Sequence, residues 1–85
     1  MGGPALIIGA QVRAARALLG WSQSQLAEFS NVGLSTIQRM EKAHGIVSGS
    51  AENAWRVQKS IEIAGVEFIS TNGGGPGVRF RDPQN

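Results

Sequence analysis

Residues 13–42 read RAARALLGWSQSQLAEFSNVGLSTIQRMEK, and this stretch decides the fold. It carries two short amphipathic segments separated by Asn31-Val32-Gly33, with arginines ahead of them and Glu41 near the end of the second. The first segment runs from Gln23 to about Ser30, capped by Ser22, with Leu26, Ala27, Phe29 and Ser30 turned inward. The chain must then turn sharply at Asn31. The second segment runs from Leu34 to about Lys42 with Ile37 and Met40 as its inward pair, which leaves Ser35, Gln38, Arg39 and Lys42 on outward or flanking faces.

Upstream, Ile8, Val12, Ala15 and Leu19 form one helical stripe, while Gln11, Arg13 and Ala14 lie off it. A helix from about Gly9 to Leu19 follows, with Gly20 as its C-terminal stop. Downstream, Ser50 caps a helix to Ala64 whose Ala54, Val57, Ile61 and Ala64 recur at spacings of three and four and close the core. The tail then changes period. Val66 and Phe68 alternate with Glu67 and Ile69, and after a turn-rich stretch Val78 and Phe80 alternate with Arg79 and Arg81, the pattern of two short strands. The expected fold is mainly α: four helices with a C-terminal two-stranded β-hairpin. Its expected layout is a flexible N-terminal segment (1–8), a helical domain (9–64), the hairpin (65–81) and a flexible tail (82–85). An isolated hairpin is marginal in water, so this one should lie on the helices or pair with a second copy. Val66, Phe68, Val78 and Phe80 are therefore the candidate dimerisation residues.

With 85 residues and 41% apolar content, the chain can bury one modest core. It has no cysteine and one histidine, which excludes a disulfide framework and a zinc site. No cofactor motif is present. The apolar ALII near the N-terminus is too short to span a bilayer and lacks the features of a signal peptide, so a cytoplasmic protein with no membrane role is expected. Eight basic against six acidic residues give a formal charge of +2, and a pI of about 10.0 allows a polyanionic partner without requiring one.

The pattern R-x-x-R-x-x-x-G-x-S-Q-x-x-L-A, from Arg13 to Ala27, followed by S-T-I-x-R-x-E, from Ser35 to Glu41, resembles the phage-repressor (Xre-type) helix-turn-helix family of transcriptional regulators. The likeness covers about Val12 to Ile61. Ala27 falls where that family uses a small residue to let two helices cross closely, and Val32, Ile37 and Met40 fall at core positions. The resemblance also implies that Arg16 and Glu41 form a structural ion pair tying helix 1 to the end of helix 3. Two departures stand out. Asn31 replaces the usual turn glycine, which asparagine's tolerance of the left-handed region accommodates. Gly33 replaces the usual serine or threonine cap, and Leu34 takes a position that is commonly polar.

In such a scaffold the first turn of the recognition helix points into the major groove, while the start of helix 2 abuts the sugar-phosphate backbone. Leu34, Ser35, Gln38 and Arg39 are the candidate base-reading residues. Arginine suits guanine O6 and N7, and Gln38 suits adenine or a phosphate. Leu34 either touches a thymine methyl or packs on a neighbouring loop. Ser22, Gln23, Thr36, Lys42 and His44 are the candidate phosphate contacts, Gln23 being aided by the dipole of helix 2.

Taken singly, each of these polar residues reads as a solvated surface group; the set on this scaffold favours double-stranded DNA as the partner. His44 alone reads as a loop surface residue. Residues 73–77, GGGPG, have no following helix and no G-K-S/T element, so they form a flexible hairpin loop and not a phosphate cradle. Trp21 and Trp55 belong to the core or its rim, and an exposed Trp55 would indicate a partner surface. The expected function is a sequence-specific DNA-binding regulator, a repressor acting as a homodimer on operator DNA and associated with the nucleoid. The alternative is a protein-interaction module, antitoxin-like or an adaptor, that keeps the fold with weak or no DNA binding and has a protein partner. An enzyme ranks last, since there are no paired carboxylates and no nucleophile beside a base.

Overall fold

The computed structural model of the chain describes residues 7–44, 50–71 and 73–82. Four helices, α1 (Gly9–Leu19), α2 (Gln23–Ser30), α3 (Leu34–Lys42) and α4 (Ala51–Ile63), precede two strands, β1 (Val66–Ile69) and β2 (Gly77–Phe80). Local chemistry accounts for the boundaries. Gly20 ends α1 at φ 70° and Asn31 ends α2 at φ 57°, both in the left-handed region expected of a helix C-terminus. The Ser22 hydroxyl accepts the Gln25 amide at 3.0 Å while the Gln25 side chain accepts the Ser22 amide at 2.8 Å, a reciprocal capping box. The Ser50 hydroxyl accepts the Asn53 amide in the same way and starts α4.

The core gathers Val12 and Ala15 of α1, Leu26 of α2, Val32 of the turn, Ile37 and Met40 of α3, and Val57 and Ile61 of α4. Ile7 and Val66 complete it from outside the helices. α3 packs on α1 and α2, whereas α4 packs on α2, α1 and the hairpin. The buried Ser30 hydroxyl donates back to the Leu26 carbonyl at 2.6 Å, so this polar group is satisfied inside α2.

Several expectations need correction. The N-terminal segment is not loose up to residue 8: Ile7 is fully buried, because the extended backbone at Ile8 turns alternate side chains inward before α1 begins. Residues 1–6 of that segment and 83–85 of the expected tail lie outside the described residues. Residues 45–49 of the connector after α3, and residue 72 of the hairpin loop, also lie outside them. Ala64 is exposed, because α4 stops at Ile63 and Ala64 follows as its C-cap. Phe29 is 53% exposed and packs against Trp21 at the rim of the core, the ring centroids 4.8 Å apart and the planes tilted by 56°.

Gln11, read from the periodicity as lying off the apolar stripe, is buried. Its side-chain oxygen accepts the Ile8 amide at 2.9 Å, while its nitrogen donates to the carbonyls of Gly77 at 2.9 Å and Ile69 at 3.2 Å. One amide thus closes the start of α1 and fastens the loop end of the hairpin to it. The strands pair antiparallel with Val66 opposite Phe80 and Phe68 opposite Val78 on one face, and Glu67 opposite Arg79 on the other. Glu67 and Arg79 form an exposed ion pair at 2.7 Å. Val66 is fully buried, and Phe68, Val78 and Phe80 pack against the helical core. Three of these four candidate dimerisation side chains, Phe68, Val78 and Phe80, stay half-buried, and the hairpin, which must bury its apolar face, lies on the helices of its own chain.

Candidate nucleic-acid interface

The outer face of α3 follows from helical geometry. At 100° per residue, Leu34, Ser35, Gln38, Arg39 and Lys42 share one side, while Ile37, Met40 and Glu41 share the other. The structure shows this partition: Ser35, Gln38, Arg39 and Lys42 are exposed, Leu34 is 40% exposed, and Ile37, Met40 and Glu41 are buried. An Arg39 guanidinium nitrogen donates to the Thr36 hydroxyl at 3.2 Å, which draws the cation back toward the first turn of α3. Its remaining N–H donors make no hydrogen bond among the described residues.

What holds α3 in place is charged. Arg16 grips Glu41 in a two-pronged contact, Nε to Oε2 at 2.6 Å and Nη2 to Oε1 at 2.9 Å, and its third nitrogen donates to the Trp21 carbonyl at 2.9 Å. This is the pair that the family resemblance implied. The Glu41 side chain is 3% exposed and that of Arg16 22%, so the pair is sheltered on the acid side and wet on the base side. The hydrogen bonds it donates to Glu41 hold the Arg16 guanidinium above its ordinary pKa range, against the opposing effect of burial. Arg13 adds a hydrogen bond to the Glu41 carbonyl, placing a cation at the C-terminal, negative end of the α3 dipole.

Gln23 takes a place that sequence reasoning did not foresee. Assigned to phosphate, its side-chain nitrogen instead donates to Glu41 Oε1 at 3.0 Å, so one of its two N–H donors is committed within the chain. Ser22, Lys42 and His44 are exposed and Thr36 is half-buried. Ahead of α3, Gly33 supplies no side-chain cap, and the amides of Leu34 and Ser35 find no acceptor among the described residues. Gln11, Gln23 and Arg13 were all missed as framework residues. Apart from the local contact of Gln11 with the Ile8 amide, each finds its partners on an element distant in sequence, which no spacing rule marks.

Charge is distributed unevenly. Glu52, Glu62 and Glu67 pair with Arg56, Lys59 and Arg79 on α4 and the hairpin, and Glu41 pairs with Arg16. On α3 itself, Arg39 and Lys42 have no carboxylate partner among the described residues. The formal +2 therefore understates the positive character of the α3 face. Among the described residues there is no cluster of metal-ligating side chains, and no helix is long and apolar enough to cross a membrane.

No curated protein matches this sequence significantly. A family model described as helix-turn-helix matches residues 12–51, a span that begins in α1, takes in α2, the Asn31 turn and α3, and ends as α4 begins. The match coincides with the part of the fold that presents α3, and over these residues the chain carries an Xre-type helix-turn-helix domain.

Proposed function

We propose that this protein is a sequence-specific transcriptional regulator that binds a two-fold related operator as a homodimer and represses the promoter it covers. The observation that carries this reading is the joint exposure of Ser35, Gln38 and Arg39 on one face of an α3 braced from behind by Arg16 and Glu41. A rigid helix with a short polar face is what direct reading of the major groove requires. Arg39 is assigned to guanine, Gln38 to adenine or a phosphate, and Leu34, partly exposed at the helix start, to a thymine methyl. Ser22, Thr36, Lys42 and His44 are assigned to phosphates, joined by the free N–H of Gln23.

Selection of bound oligonucleotides from a random pool at two salt concentrations tests the reading. A consensus with two-fold symmetry and half-sites about 34 Å apart, one turn of DNA, is the expected result. A steep salt dependence with no consensus would reduce the role to backbone attraction. Repression is checked by placing the selected site across a reporter promoter, where expression should fall when the protein is supplied.

A further inference from the structure

Arg39 reaches back along its own helix: its Nη2 donates to the hydroxyl oxygen of Thr36 at 3.2 Å. Residues three apart on a helix are neighbours, so the contact asks for no distortion of α3. The Thr36 hydroxyl in turn lies over the helix start, where a β-carbon added at Gly33 would stand 4.0 Å from it. Gly33, being bare, leaves that space open. The guanidinium of a residue in the second half of α3 is thereby brought to its first turn, the part of a recognition helix that meets the base edges.

Besides this bond, two influences act on the cation. The positive end of the α3 dipole repels it from the first turn, while Lys42, a like charge three residues further on, repels it from the last. Arg39 has no carboxylate partner among the described residues to hold it on either side. The Thr36 oxygen therefore decides where the guanidinium rests. It does so without using up the group's reading edge. Nη2 carries two hydrogens, one beside Nη1 and one beside Nε; whichever of them Thr36 takes, the other still forms a complete two-pronged donor edge with its neighbour.

We propose that Thr36 is the positioning residue of Arg39, fixing the guanidinium in the pose from which it reads guanine and so setting the stringency of that reading. This rests on the proposed assignment of Arg39 to a base. A free arginine that meets the wrong base can swing to a nearby phosphate and recover part of the loss, whereas a held one cannot, so holding it sharpens discrimination. The role adds to the phosphate contact assigned to Thr36 and does not displace it. Its oxygen accepts from Arg39, and its own hydrogen, with no acceptor among the described residues, is left for a phosphate. Accepting from a cation makes a hydroxyl the better donor, so the two contacts support each other.

Thr36→Val, which exchanges the hydroxyl for a methyl group of the same shape, tests the proposal, with fluorescence anisotropy on the selected site and its single-base variants as the measurement. Arg39→Ala first identifies the base pair that Arg39 reads. At that pair Thr36→Val should lower the preference for guanine roughly threefold to tenfold, the worth of one hydrogen bond, and leave the preferences at other pairs unchanged. Thr36→Ser should keep the parent preference, and in an Arg39→Ala background Thr36→Val should alter no preference at all. In the free protein, side-chain NMR relaxation should show the Arg39 Nε–H ordered in the parent and in Thr36→Ser but mobile in Thr36→Val, a signature that a merely structural or phosphate-binding threonine would not give. A loss that is equal on every sequence, or an Arg39 Nε–H equally ordered in the parent and in Thr36→Val, overturns the inference and leaves the base reading standing. Arg39→Ala with no change in any base preference removes the reading itself, and this inference with it.

Discussion

Gly9 meets the end of α3 so closely that a side chain there has nowhere to go: a β-carbon would stand 2.8 Å from the Ala43 carbonyl oxygen and nearer still to that of Met40. The start of α1 is thus seated directly on the last carbonyls of α3, and Arg13, one turn further along, donates to the Glu41 carbonyl beside them. The position of the recognition helix is set by backbone against backbone, with no side chain between to give way.

Gly9→Ala should accordingly destabilise the protein by about 1–3 kcal/mol, the usual range for overpacking, although alanine is the better helix former. The φ angle at Gly9 is not in the left-handed region, so the loss would report contact and not backbone strain. Urea unfolding measures it. An unchanged midpoint would mean that α1 and α3 can separate at no cost.

The Arg16 and Glu41 pair should respond unequally to truncation. Arg16→Ala leaves a buried carboxylate with Gln23 as its remaining side-chain donor, whereas Glu41→Gln leaves a guanidinium that still reaches water. The first should cost about 3–5 kcal/mol and the second clearly less, and the double variant should cost less than the two added together. The pH dependence has a definite sign. Because the folded-state pKa of Arg16 is raised, its stabilisation is fully present below the unfolded-state value, itself far into the alkaline range, and is lost only above the folded one, so the stability of the parent protein does not change through Arg16 titration near neutrality. Chemical denaturation of the single and double variants checks the inequality, and repeating it at several pH values near neutrality checks the sign.

Gln11 offers a sharper contrast. Gln11→Ala strands the Ile8 amide and the carbonyls of Ile69 and Gly77, at about 2–4 kcal/mol in all. Gln11→Glu keeps the acceptor but turns a carboxylate oxygen toward those two carbonyls, and should be the worse of the two at neutral pH. Hydrogen exchange should show β1 and β2 losing protection before α2 does. Equal protection across the molecule would separate the hairpin from Gln11.

Gly33→Ser should stabilise the fold by about 0.5–1 kcal/mol, since it adds a cap to α3 and reduces the freedom of the unfolded chain. The site has room: the nearest neighbour that a β-carbon there would meet is the Thr36 hydroxyl, 4.0 Å away. A rise in Tm is the expected readout, and a fall would show that the bare glycine is needed for the turn.

On DNA, Arg39→Ala should cost about 1–3 kcal/mol and relax preference at one base pair, while Lys42→Ala should weaken all sequences alike and lower the salt slope by about one. Fluorescence anisotropy against the selected site and single-base variants distinguishes the two patterns. Equal loss on every sequence after Arg39→Ala would move that residue from base reading to phosphate contact.

Sequence by itself determined the helices and turns of this protein, because their determinants are local. Glycine and asparagine at Gly20 and Asn31 accept the left-handed conformation, Ser22 and Ser50 supply caps within three residues, and apolar spacing separates Ile37 and Met40 from Ser35, Gln38 and Arg39. The helix-turn-helix layout was legible for the same reason, and its motif pointed to the Arg16 and Glu41 pair. Tertiary structure alone decided which polar groups became framework. Gln11, Gln23 and Arg13 resemble any exposed helical residue until an element far along the chain brings carbonyls or a carboxylate to them. It also decided that the hairpin turns its apolar face to its own helices and that Trp55 and Ile63 stay uncovered. Periodicity reports that a face is apolar, but which surface arrives to cover it depends on the arrangement of the whole chain.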